Sequence, residues 1–218
     1  MKTIIERLEL LEPLIKFEED DFFFVQIFQR RKDVPDLDLN VKRLKSYSFY
    51  SWKELESQAE RIQEICDLNQ ARAYIRLNSQ NSVDVSLRCI AEMTQNLLDG
   101  NPAKNKGVWD SVSGKKGRKD YFMVDLDEEH LNFIPENETL SIPELLKIDL
   151  EKHFSERHLE EYPLIFNETK SGIHLITIPF DTRILSKYNT QLSSNNLPTI
   201  QLQKDCNTLL YYYNDKNT

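Results

Sequence analysis

Cysteine is scarce: Cys66, Cys89 and Cys206 are the only three, and they lie far apart. They form neither a disulfide ladder nor a CxxC knuckle. A reducing, cytoplasmic setting is therefore expected. No apolar run approaches the roughly 18 residues that a membrane span needs, so no membrane partner is expected. The N-terminal MKTIIERLELLEPL carries acids inside its apolar stretch, so it does not read as a secretory signal. A basic excess is missing too. Net charge is −8, which argues against coating nucleic acid by bulk charge. There is no internal repeat and no low-complexity tract. Glycine is confined: four of the five (Gly100, Gly107, Gly114, Gly117) fall in one stretch, and Gly172 stands alone.

What is present is an ordinary soluble balance, 39% hydrophobic and 29% charged, with 11 Phe, 9 Tyr and 2 Trp. The 218 residues suffice for a real core and read as one compact domain, 1–218. A subdivision is visible within it: an α/β part over 1–100, a basic glycine-containing loop over 101–119, and a third part over 120–218. Apolar spacing predicts helices over 2–17 (ended or kinked by Pro13), 51–68, 82–98, 142–159 and 182–190. Strands are expected over 22–29, 46–50, 71–78, 121–124, 199–203 and 208–213, with two more around a turn at 170–172. Helices and strands alternate early and strands dominate late, which defines an α/β or α+β fold. Basic residues cluster at Lys104, Lys106, Lys115, Lys116, Arg118 and Lys119, and again at Arg30, Arg31, Lys32, Lys42, Arg43 and Lys45.

The sharpest chemical feature is Asp125-Leu126-Asp127, closing an apolar strand. Strand residues i and i+2 share a face, so the two carboxylates project together. Mg²⁺ and Mn²⁺ take hard oxygen ligands, often one or two carboxylates plus phosphate oxygens. Such a pair can equally be a solvated turn, since Glu128 and Glu129 continue the acidic run.

The second feature is Thr169-Lys-Ser-Gly-Ile-His174, between two apolar strand segments. Gly172 permits a tight turn or a close approach of backbone. Lys170 offers charge, Ser171 a hydroxyl, and backbone N–H groups offer an anion nest. His174 opens the next strand. Together these residues suit a triphosphate.

DxD at a strand end, followed by Thr-x-Ser-Gly-x-His opening a later strand, resembles the archaeo-eukaryotic primase superfamily. The likeness is to the bifunctional primase-polymerase domains of phages and plasmids. It implies a primase-polymerase core: an N-terminal α/β part and a C-terminal, β-rich part like an RNA-recognition motif. It also implies nucleotidyl transfer at two Mg²⁺ or Mn²⁺ ions, building DNA or RNA from NTPs or dNTPs on single-stranded DNA. No zinc is expected, because the three cysteines and four histidines (His130, His153, His158, His174) show no ligand spacing. A helicase or other replication protein is a further partner that the resemblance suggests. Asp125 and Asp127 match the first motif, and Ser171, Gly172 and His174 match the second, beside Lys170. Asp205 is chosen as the third acid. Asp181 is the alternative, but an extended strand would carry it roughly 23 Å from His174. Lys170 and Ile173 replace the proline and second glycine of the common string. Lys115, Lys116, Arg118, Lys119, Arg30 and Arg31 are the candidates for template contact, with Tyr74, Tyr121 and Trp109 for base stacking.

Two other readings use the same residues. One is a non-catalytic relative that binds a nucleotide, a nucleic acid or a partner protein. The other is a metal-dependent phosphoesterase or nuclease, with His174 as general acid or base.

Overall fold

The computed structural model describes residues 2–114, 117–136 and 138–213. The chain forms two compact units. The first takes Met1–Arg118 and then the chain from Leu209 on; the second is Lys119–Thr208. Two units thus stand where one domain is expected. The division falls at Arg118, and the chain's last stretch belongs with its beginning.

The first unit opens with α1 (Ile4–Leu11), whose start is fixed by reciprocal bonds between Thr3 and Glu6. Pro13 sits in the 3-10 turn Glu12–Leu14 that ends it. Strand β1 (Asp21–Arg30) pairs antiparallel with β2 (Val41–Phe49). β2 begins earlier than its aromatic end suggests, because charged Val41–Lys45 carries no apolar alternation to announce it. The helix expected over 51–68 is two, α2 (Trp52–Ser57) and α3 (Ala59–Asn69), broken at Gln58. Then come β3 (Arg72–Asn81) and α4 (Ser82–Leu98). The side chain of Asn81 accepts from the N–H groups of Val83 and Asp84, which caps α4. Val108–Ser113, expected as loop, is a short helix, α5, whose Val108 and Val112 pack on Phe22, Phe24, Val85 and Cys89.

The second unit runs β4 (Phe122–Asp127), α6 (Glu128–Asn132), α7 (Ile142–Glu156), β5 (Leu164–Glu168), β6 (Gly172–Thr177), α8 (Arg183–Ser194) and β7 (Gln201–Gln203). The final strand, β8 (Asn207–Tyr212), completes the first sheet, ordered β2-β1-β3-β8. The second sheet is ordered β5-β6-β4-β7. The fold class is therefore mixed α+β with two antiparallel sheets. Leaving out the short α6, the second unit reads β-α-β-β-α-β with its first and third strands central, the split arrangement.

That order positions the site. Along β4, Phe122, Val124 and Leu126 join Leu175 in a core with Leu146, Leu150 and Phe154 of α7 and Tyr188 and Leu192 of α8. Alternation then turns Met123, Asp125 and Asp127 to the face opposite those helices.

Candidate functional site

In the antiparallel pairing of β4 with β6, Asp125 lies directly across from His174, and Asp127 from Gly172. Directly opposed residues project to the same face. β5 sets Asn167 beside His174, and β7 sets Gln201 beside Asp125. One straight row, Asn167–His174–Asp125–Gln201, therefore crosses all four strands on the face away from α7 and α8. Two motifs about fifty residues apart in sequence become neighbours in space.

The approach of the strands at Gly172 is close. A Cβ there would lie 2.1 Å from the carbonyl oxygen of Leu126 and 2.9 Å from the Cα of Asp127. Only glycine lets the second motif sit against the first at this register. The turn before it is wound inward. Thr169 N–H donates to the Gly172 carbonyl at 2.8 Å, and Ser171 N–H donates to Thr169 Oγ1 at 3.4 Å. These two amides are spent on the turn itself and do not form the expected anion nest. Ser171 and Lys170 are exposed.

His174 is buried, with 8% of its side chain open to solvent against 32% for Asp125. Its Nε2 is 3.6 Å from Asp125 Oδ1. On the ring's other side, Nδ1 is 2.8 Å from Thr208 Oγ1, which accepts a hydrogen bond from Asn167 Nδ2 at 2.9 Å. Asp127 ends β4 and caps α6: its carboxylate accepts from the backbone N–H of His130, and its own N–H donates to His130 Nδ1 at 2.9 Å. His130 Nε2 lies 2.8 Å from the Pro198 carbonyl. His130, 1% exposed, thus holds the turn that carries Asp127. A histidine three residues after an aspartate is the sequence signal of such a cap; Asn167 and Thr208 join the site through strand register, which no local string announces.

Asp205, expected as the third metal carboxylate, is not in this row. Gln201 stands beside Asp125 and Gln203 beside Met123, so β7 runs toward the opposite end of β4. Asp205 lies in the turn that follows Gln203, past the Met123 end of the β4–β7 pairing. Asp181 is also elsewhere, past Thr177 at the Phe122 end, where Arg183 holds it. Side-chain and backbone hydrogen bonds from Arg183 bring the Asp181 carboxyl down to about 2. Among the described residues, no three His, Cys, Asp or Glu side chains gather to hold a metal ion. Asp125 and Asp127 suit one hard divalent cation completed by phosphate or water.

The candidate template contacts are scattered. Arg30 Nη1 donates to the Tyr74 hydroxyl at 3.3 Å. Arg31 Nε donates to the Leu37 carbonyl at 3.0 Å, tying the loop between β1 and β2. Arg118 pairs with Glu18 at 2.6 Å and Asp21 at 3.4 Å. Lys119 is exposed, and Lys115 and Lys116 lie outside the described residues. Trp109 packs on Phe22 and donates to Ser48 Oγ, so its ring is part of the first unit's structure.

The first unit holds a cavity of about 760 Å³ at the end of β3, lined by Asp21, Ser79, Gln80, Arg88, Gly117 and Arg118 among others. Ser79 donates to Asp21 at 2.8 Å, and both are buried. Ser79 and Gln80 lie beyond the strand expected over 71–78, which runs on to Asn81.

Compared with family models, curated proteins and solved structures, the chain matches none of them. No described helix is long and apolar enough to cross a membrane.

Proposed function

We propose that this protein is a metal-dependent nucleotidyl transferase of the primase-polymerase type. It would extend a DNA or RNA strand from NTPs or dNTPs on single-stranded DNA. The observation that carries this reading is the register of β4 with β6, which sets Asp125 across from His174 and Asp127 across from Gly172. Carboxylates that suit a hard cation then share a sheet face with a histidine that suits a phosphate.

Phosphoryl transfer asks the protein for positioning and charge neutralisation more than for covalent chemistry. A Mg²⁺ or Mn²⁺ ion, when bound, neutralises charge on the phosphates. Asp125 and Asp127 would hold it. His174 would donate to a phosphate oxygen from its buried seat, and the exposed Ser171 and Lys170 would contact the same triphosphate from the turn. The close backbone packing at Gly172 keeps these groups in register without a bound partner.

The test is nucleotide incorporation on single-stranded DNA with Mn²⁺ or Mg²⁺, wild type beside Asp125→Asn with Asp127→Asn. We expect a metal-dependent product that falls at least about 100-fold in the double variant. No product from folded wild type with either metal would overturn the catalytic reading.

One observation favours a second reading. With no third carboxylate gathered among the described residues, the same row suits a non-catalytic relative that binds nucleotide. Triphosphate binding without incorporation would establish it.

A further inference from the structure

We propose that Thr208 and Asn167 are positioning residues that set the tautomer of His174, making its Nε2 a fixed hydrogen-bond donor to an anionic oxygen. The inference deepens the reading of this site as a phosphate-binding one and rests on it for the identity of the acceptor, but not for the tautomer.

The argument begins with Thr208, which is fully buried. A hydroxyl has one proton to give and two lone pairs to offer. Thr208 Oγ1 meets two polar groups among the described residues, Asn167 Nδ2 at 2.9 Å and His174 Nδ1 at 2.8 Å. An amide nitrogen only donates, so Thr208 accepts from Asn167. The hydroxyl proton then has one acceptor within reach, the imidazole Nδ1. A buried hydroxyl proton left unpaired is costly. The proton therefore goes to Nδ1, which must present its lone pair. A neutral ring whose Nδ1 accepts carries its own hydrogen on Nε2.

Asn167 is itself fixed. It is fully buried, and β5 sets it directly beside His174 in the sheet. Direction thus passes along the row: amide to hydroxyl, hydroxyl to ring, ring N–H outward. The outward nitrogen is the one facing Asp125, at 3.6 Å, longer than a hydrogen bond.

The chemical consequence is selective. An Nε2–H cannot ligate a metal through that nitrogen, and it cannot take a proton there as a general base. It can donate to a phosphate oxygen drawn in beside the carboxylates. This chain therefore selects the phosphate-donor role for His174 over the general-base role that a hydrolase would need.

The test is long-range ¹H–¹⁵N correlation of the full chain labelled with ¹⁵N-histidine, at pH 8, with His174 assigned by its loss in His174→Gln. We expect the Nε2–H pattern in wild type and in Thr208→Ser, which keeps the hydroxyl. Thr208→Val should yield mixed tautomers. Asn167→Asp replaces the donor with an acceptor, reverses the relay and should move the ring to Nδ1–H. Inorganic triphosphate is the binding probe, and Thr208→Val should weaken it roughly tenfold. An Nδ1–H wild type, or an Nε2–H pattern unmoved in folded Asn167→Asp, would overturn the proposal. The spectra do not depend on activity. Nucleotide incorporation can therefore fail while the tautomer assignment stands, and the assignment can fail while incorporation proceeds.

Discussion

Arg72 keeps a full charge while only 4% exposed, and Asp33 is what makes that possible. The guanidinium donates through Nε and Nη2 to both Asp33 oxygens at 2.6 Å. Burial works against the charge, but Asp33 and Tyr74 more than offset it and hold the guanidinium above its ordinary value. Removing one partner of a buried pair strands the other. Asp33→Asn should cost roughly 3–5 kcal/mol, read from the urea midpoint. In ARAYIRLN, Ala73, Ile75 and Leu77 alternate against Arg72, Tyr74 and Arg76, yet Arg72 and Arg76 are buried too. Sequence period tells which residues share a face, not whether that face is covered. Asp149 shows the opposite balance in the second unit. Burial would raise its carboxyl, yet hydrogen bonds from Lys187 and the Tyr188 hydroxyl hold it below the ordinary 3.8. Its stabilising effect is therefore present above 3.8 and lost as pH falls through the depressed native value. Asp149→Asn should flatten that acid limb, compared by urea midpoints from about pH 5 to about pH 2.

Between residues and the whole chain, register decides the chemistry. The DxD and Ser-Gly-x-His strings were legible, as was each one's place at a strand end, because apolar runs and a lone glycine mark strands locally. Which residue stands across from which is a long-range property that neither string encodes. That is why Asp205 was a reasonable choice from sequence and is nevertheless at the wrong end of β4. Gly172 is the element-scale test. An added methyl at 2.1 Å from the Leu126 carbonyl must push β6 off β4. Gly172→Ala should destabilise the second unit by roughly 2–4 kcal/mol, measured by thermal unfolding. α5 escaped prediction because glycines flank it, and its reason to be helical is tertiary: Val108 and Val112 need the apolar surface of β1 and α4. α4 lies where expected, but the helical spacing of Val85, Cys89, Met93 and Leu97 marks one face that is covered only in part. Val85 and Cys89 are buried, whereas Met93 and Leu97 are exposed.

The whole chain does not follow the order of its sequence. The split β-α-β-β-α-β unit arises within a stretch that interrupts the first unit. A general α+β character was readable from alternating elements; the return of the chain was not, since TLLYYY looks like any closing strand. Its burial shows what it does: Leu209, Leu210, Tyr211 and Tyr213 are all at most 6% exposed. The Tyr211 hydroxyl donates to Asp67 at 2.9 Å. Ending the chain after Thr208 should unfold the first unit at much lower urea, by more than about 3 kcal/mol. Trp52 and Trp109, the two tryptophans, both belong to that unit, so their fluorescence reports it directly.

β3 has its outer neighbour only once β8 exists. On a translating ribosome, about 90 residues separate the end of the first unit's opening segment from its closing strand. At about 5–20 residues per second that is a wait of roughly 5–20 s. Throughout it the nascent sheet presents a bare edge, the surface most prone to mispairing with another chain. Synthesis rate over residues 119–208 thus becomes a determinant of yield for residues 1–118, and a pause there should send more of the product into aggregates than the same pause before β1.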